Sequence, residues 1–364
     1  MTTLELRTQF GMKGFFPKIE AFQGIDVQTL DPLRPDLDGA GRLSVLEFPW
    51  TRRSLIEAKG PDENANKLLT AGLNKLSTQS GWMGSCQVGT DSSQPTAGQT
   101  ALGAHVAGTS TIHADNYGAQ GSVPYYGWRR RTYRFGAGAA AGNLNEIGIG
   151  WGTTGATLIA RHRTVNTLNE ETTITVLGSE YLDVTYELRY YPPLVDYAST
   201  IVLDGFTYDT LTRAALVTNS NHWGQFIGSP IGEYTNANSD WSAWDGEPGD
   251  ITQNPSGSSV SADNSSGFDE VYNNNSFEQT FGLNVGPTGW NVSGGFRTIR
   301  FRSTAGSYQC RFGRQGGGDE KVPKTSAYQI QLKWTIAWAE LLGLFALPGS
   351  FTLTGSDATL THNT

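Results

Sequence analysis

The sequence predicts a mainly β protein, an antiparallel β-sandwich or jelly-roll-like domain with one short helix and long loops. Three observations predict it. Residues 181–191 alternate without a break: Leu182, Val184, Tyr186, Leu188 and Tyr190 fall on one face, and Asp183, Thr185, Glu187 and Arg189 on the other. A period of two is that of a strand with one buried face. Residues 329–338 repeat the pattern, with Ile330, Leu332, Trp334, Ile336 and Trp338 facing one way and Gln329, Gln331, Lys333 and Thr335 the other. Two such strands so far apart imply a sheet closed by long-range pairing. The third observation is composition. With 45 Gly, 10 Trp, 14 Tyr and 16 Phe but only 16% charged residues, the chain has turn-forming residues and core-forming rings together.

A length of 364 residues suits one large or two ordinary domains. The expected organisation is a β-rich arm or attachment region over 1–60, a main β domain over 61–345, and a C-terminal hairpin extension over 346–364. The net charge of −8 argues against a general nucleic-acid binder. The two cysteines, Cys86 and Cys310, exclude a disulfide-dense scaffold and any CxxC site. They are expected as buried free thiols, with a single long-range bridge left open. The N-terminus lacks a continuous apolar stretch, so no signal peptide is expected. The longest apolar segment, 334–348, contains Glu340 and is too short to cross a bilayer.

Taken in order, residues 1–60 read as short strands. Phe10, Phe15, Phe16, Phe22, Leu43, Leu46, Phe48 and Trp50 are spaced by turn residues. They form either an arm that packs on a neighbour or the first sheet of the same domain. Residues 64–77 give the one helix, through Leu68, Leu69, Leu73 and Leu76 at helical spacing, with Asp62 before it and Gly81 beyond. Gly72 weakens it. Residues 87–90 and 104–111 are expected strands. Residues 125–135 carry Arg129, Arg130, Arg131 and Arg134 among Trp128 and Tyr133. Basic residues interleaved with rings can hold nucleic acid, but in an acidic chain they are expected to pair with acids on a neighbouring strand or subunit. Residues 201–206, 214–218, 296–302 and 308–312 are further strands. Residues 235–295, dense in Asn, Ser, Gly and Asp, read as either a long decorated loop region or several short strands with large turns. Phe351 and Leu353 begin the closing hairpin.

No catalytic pattern emerges. GxxxxGK[ST], GxSxG and HExxH are all absent, and the five histidines are dispersed. The run Glu233, Asp240, Asp245, Glu247 and Asp250 is the best acidic cluster. Paired carboxylates can hydrolyse a glycan or ligate calcium, but the spacing fits no calcium loop, and a solvated loop is the expectation. No catalytic residue, metal or cofactor is therefore assigned. The expected contact residues are Trp241, Trp244, Tyr272, Phe277, Phe351 and Leu353, where rigid rings stand among short polar side chains. For Trp241 and Trp244 the competing role is to pin the loop to its own sheet.

Five blocks in order resemble a family of tailed-bacteriophage virion proteins, described as tail or minor structural proteins. They are NKLLTAGL at 66–73; CQVGT at 86–90 with Pro95 and TAL at 100–102; YRF at 133–135 with GN at 142–143 and EIGIGW at 146–151; ITVL at 174–177 with EYLDVTYELRY at 180–190; and KVPK at 321–324 with the strand to Trp338. The GSFTLTG at 349–355 resembles a short repeat appended to phage tail proteins. The family's glycine after Gly89 and Thr90 is Asp91 here, and 235–295 has no family counterpart. The resemblance implies a non-enzymatic virion component, most simply a multi-copy tail protein of the collar, sheath, baseplate or fibre. It would be made in the host cytoplasm and assemble with copies of itself and other tail proteins. A host surface glycan is a further partner it allows. The alternatives are a head-decoration protein or a tail-borne glycan-binding or depolymerase protein.

Overall fold

The alternating segment at 181–191 forms a central strand of a nine-stranded sheet, and the other elements are laid around it. The computed structural model describes residues 2–23, 51–57, 67–164, 171–203, 205–223, 231, 240–261, 265–316, 318, 320–326, 329–340 and 351–354. Along the chain these form β1 (Thr2–Gln23), β2 (Thr51–Glu57), β3 (Lys67–Leu68), α1 (Thr70–Lys75), β4 (Ser85–Gly89), β5 (His105–Thr109) and β6 (Ile112–Ala119). Next come β7 (Gly127–Phe135), β8 (Gly142–Leu144), β9 (Glu146–Gly150), β10 (Leu158–Arg163), β11 (Ile174–Val176) and β12 (Tyr181–Tyr191). They are followed by β13 (Tyr197–Leu203), β14 (Phe206–Ala215), α2 (Ser220–Trp223), β15 (Trp241–Trp244), β16 (Ser259–Ser261) and β17 (Ser265–Asp269). The last are β18 (Glu278–Val285), β19 (Thr298–Ser303), β20 (Gly306–Arg314), β21 (Ile330–Glu340) and β22 (Phe351–Thr354). The protein is mainly β, as its composition predicts.

The large sheet runs β17-β18-β21-β1-β12-β7-β6, with β2 and β22 also on β1. Its pairings are antiparallel except β1 with β21, which is parallel from Thr2 opposite Ile330 to Met12 opposite Glu340. Nothing in the period-two pattern distinguishes a parallel from an antiparallel neighbour. The sheet also crosses the expected boundaries. β1, from the 1–60 region, lies between β12 and β21. β22 pairs with β1, while the second half of the expected C-terminal hairpin lies outside the described residues. Within 235–295, β18 pairs with β21, and β15 with β19.

One face of this sheet is the core. Leu182, Val184, Tyr186, Leu188 and Tyr190 of β12 are buried, as are Ile330, Leu332, Trp334, Ile336 and Trp338 of β21. Phe281, Leu283 and Val285 of β18 continue the same face, opposite Trp334, Leu332 and Ile330. Two further sheets cover it. The six-stranded sheet, β13-β14-β20-β19-β15-β16, meets the β21 end through rings. The Trp334 ring lies 5.5 Å from Phe301, 5.7 Å from Tyr308 and 6.3 Å from Trp241. These offset and edge contacts are what sheet-on-sheet packing with large rings favours. The five-stranded sheet, β3-β10-β9-β4-β5, covers the β12 end. There the Tyr133 hydroxyl donates to the Met83 carbonyl at 2.8 Å, and Leu68, Leu73, Trp82 and Ile159 close over Leu188. The layers make a sandwich with one side split between two sheets.

The helix is shorter than the leucine spacing predicts. Within 64–77 only Thr70–Lys75 is helical, while Leu68 belongs to β3 opposite Ala160. Residues 64–66 lie outside the described residues. Leu69, at the N-cap, is extended and provides no side-chain cap, and Asp62, the expected cap, lies outside the described residues. Gly72 is needed for packing: a Cβ there would stand 2.3 Å from the Cα of Ile159. Both cysteines are buried and free. Burial raises both thiols, Cys310 to about 12, which leaves them unreactive.

Candidate functional site

The acidic run and the aromatic residues of the 235–295 segment are the sequence's main site candidates, and Trp244, Asp245, Glu247 and Asp250 lie at the outer face of the six-stranded sheet. Strand parity sets that face. On β19, Ile299 and Phe301 point into the core, so Thr298, Arg300 and Arg302 point out. On β20, Gln309 and Arg311 lie on the same outer side, beside Arg213 of β14. Residues 245–258 lie across these side chains. Glu247 bridges Arg311 at 2.6 Å and Arg297 at 3.3 Å. Gln309 donates to the Gly249 carbonyl at 2.9 Å and accepts from the Gly249 N–H at 3.0 Å. Thr298 donates to the Gly246 carbonyl at 2.8 Å, and Arg300 to the Asn254 side chain at 2.8 Å.

Glu247 thereby holds the loop to the sheet, and two other carboxylates of the run bond within the loop. Asp245 accepts from the Ser258 N–H at 2.7 Å, and Asp250 from the Ile251 N–H at 2.6 Å. Asp240 is fully buried, near Arg300. Glu233 lies outside the described residues. Among the described residues no group of three His, Cys, Asp or Glu side chains is placed to hold a metal.

The proposed contact rings do not share one surface. Trp241 is fully buried, its ring 4.3 Å from Phe301. It belongs to the core between the sheets, which corrects its assignment as a contact residue. Trp244, three residues on in the same strand, points to the opposite face, half-buried, with the Arg300 guanidinium 5.9 Å from its ring centre. Tyr272 and Phe277 pack at the edge of the core. Tyr272 stacks on Trp338 at 5.9 Å and donates to Asn74 at 2.8 Å, tying the 270–277 loop to α1. Phe351 and Leu353 pair through their backbone with Thr8 and Leu6.

The arginine strand pairs with its neighbours. Arg129 and Arg131 hold Asp115 of β6, while Arg130 and Arg134 hold Glu187 and Asp183 of β12. This matches the expectation of strand-to-strand ion pairs.

Two features escaped the sequence. In the five-stranded sheet Arg161 and Glu146 are both fully buried and 2.8 Å apart. Glu146 also accepts from the N–H groups of Asp91 at 3.3 Å, Gly103 at 3.0 Å and Ala104 at 2.7 Å. Arg161 reaches Gln99 at 3.0 Å and Asp91 at 2.9 Å. Asp91, where the resembled family has glycine, is thus an anchor of the 91–104 loop. Its carboxyl is held below the usual range, first by Ser93 hydrogen bonds and then by Arg161. The second feature is Lys324, buried, whose ammonium donates to the Gly286 and Pro287 carbonyls at 3.2 Å and to Asn291 and the Thr325 carbonyl at 3.1 Å. Burial lowers its pKa to about 8. A lysine pattern carries no sign of such a cage. Beside the arginine–glutamate network, a polar cavity of about 280 Å3 is lined by Ser92, Asn145, Arg163, Thr164, Glu171, Thr172 and Thr173.

His222 of α2 supplies a pH test. Its Nδ1 is buried without a hydrogen-bond partner. Burial first, then the charges of Arg302 and Arg300, push its pKa down to about 3. The folded state therefore resists a proton that the unfolded chain accepts near pH 6.5. Its stabilising effect is present above pH 6.5 and is lost as pH falls towards 3. Between pH 7 and 5 the parent is expected to lose about 2 kcal/mol more than a His222→Asn variant, by the proton linkage. Urea unfolding at the two pH values measures this, and equal losses would remove the histidine as the cause.

Comparison with family models, with curated proteins and with solved structures finds no match.

Proposed function

We propose that this chain is a non-enzymatic structural component of a bacteriophage virion, a multi-copy tail protein. The observation that carries the non-enzymatic part is the outer face of the six-stranded sheet. There Glu247 spans two arginines, and Asp245 and Asp250 accept backbone N–H groups. A glycosidase needs two carboxyl groups facing each other across a groove, one of them free to give a proton. The carboxyls described here face the protein's own loop and sheet.

The virion part rests on the resemblance of the five sequence blocks. Four of them coincide with structural units: β4, the pair β7 and β9, the pair β11 and β12, and β21. A layered β body with paired charges and buried rings is the kind of rigid part an assembly of identical subunits uses. The test is to purify the virions whose genome encodes the chain and to locate it by cryo-EM and quantitative mass spectrometry. The expected result is several copies per particle, in density of the tail. Placement on the capsid would favour head decoration. Absence from purified particles overturns the reading, and so does release of oligosaccharides from host polysaccharide by the purified chain.

A further inference from the structure

We infer that β13 is a docking edge for a second copy of this chain, forming a continuous twelve-stranded sheet across a two-fold axis. β13 is the terminal strand of the six-stranded sheet, and among the described residues no strand pairs with its outer side. Such an edge presents a row of open donors and acceptors, and proteins that must stay monomeric interrupt it with charge, proline or a bulge. β13 (YASTIVL) has none of these, and all seven residues pair with β14 in unbroken register.

The other free edges differ. β5 and β6 carry register shifts against their neighbours. β16 and β3 have three and two residues, and β17 ends in Asp269. β22 approaches β13 but hydrogen-bonds to β1. Exposed apolar side chains flank the β13 edge, namely Val195, Val202 and Phe206.

The hairpin fixes which backbone groups point outward. Leu203 and Phe206 pair across a two-residue connection, so they form a hydrogen-bonded pair of the ladder. The inward-bonded residues of β13 are then Leu203, Ile201, Ser199 and Tyr197. The outward ones are Ala198, Thr200 and Val202. An antiparallel copy centred on Thr200 sets Thr200 against Thr200 and Ala198 against Val202. Each is a hydrogen-bonded pair, giving about six interchain bonds. The cross-strand neighbours are a threonine pair and small apolar pairs, with no charge within the strand. Just beyond the strand, Asp196 is neutralised by Arg213. The contact is isologous and closes at two copies.

The inference deepens the multi-copy reading above, but the purified chain tests it without a virion, so its failure leaves that reading standing. Sedimentation of the full chain is the experiment. The parent should sediment at about twice its 39.3 kDa at tens of micromolar. Thr200→Pro removes only an outward N–H, so the bonds to β14 remain. Thr200→Lys sets two like charges against each other. Each should weaken the dimer by about tenfold or more, from the lost bonds or the repulsion, with an unchanged circular dichroism spectrum. A monomeric parent overturns the inference. So does a Thr200→Lys variant that is folded and dimerises like the parent, which decides the matter even if the proline variant fails to fold.

Discussion

Glu146→Gln lowers the unfolding free energy by about 3–5 kcal/mol, the usual cost of removing one partner from a buried ion pair. The size follows from the contacts. Glu146 satisfies the Arg161 Nε and the backbone N–H groups of Asp91, Gly103 and Ala104. A glutamine keeps one acceptor oxygen and turns an amide donor towards other donors. Arg161 is then left fully buried with only Asp91 for a counter-charge, and that carboxylate is partly exposed. Arg161→Met costs less, because the three N–H groups still hold the carboxylate. Replacing both residues with apolar ones does not restore the parent, because those N–H groups would lose their acceptor. Urea unfolding measures the loss, and faster amide exchange at Gly103 and Ala104 locates it. A Glu146→Gln variant within about 1 kcal/mol of the parent would show that the pair does not hold the loop.

The two strands that define the large sheet were legible because one face of each is buried and the other is not. Tyr181–Tyr191 has the bounds its alternation predicts, and β21 begins one residue inside the expected segment. The helix was legible only in its middle. The leucines at 68 and 69 have helical spacing, but Leu68 is captured by the β10 ladder, and a spacing rule cannot see a competing strand far along the chain. The Glu146–Arg161 pair was hidden for a related reason. β9 is buried throughout, so a carboxylate among Ile and Gly showed neither its partner nor its depth. The acidic run was visible as residue types, but its counter-charges come from β19, β20 and the residue before β19. Trp241 and Trp244 carried a readable signal that composition obscured: a spacing of three within a strand places two rings on opposite faces.

That parity separates two variants with different expected costs. Trp241→Ala should destabilise the protein by about 3–5 kcal/mol, the cost of removing a large buried aromatic. The ring is fully buried and touches both layers, Phe301 at 4.3 Å on its own sheet and Trp334 at 6.3 Å on the other. Its removal opens a void at the junction where Trp334 also meets Tyr308 and Phe301. Neighbouring rings cannot collapse into it without disturbing β21, which is paired on both sides by β18 and β1. Trp244→Ala removes a half-buried ring whose contacts are a hydrogen bond to Ser242 and a guanidinium above it. An exposed cation–π contact contributes about 0.5–1 kcal/mol, so the loss should be about 1–2 kcal/mol once the partial burial is added. Thermal or urea unfolding of the two single variants measures the difference. Trp241→Ala should lower the midpoint sharply, and Trp244→Ala only modestly. Equal losses would mean that the 245–258 loop, and not the sandwich core, depends on both rings. A Trp241→Ala variant as stable as the parent would remove this ring from the contact between the two sheets.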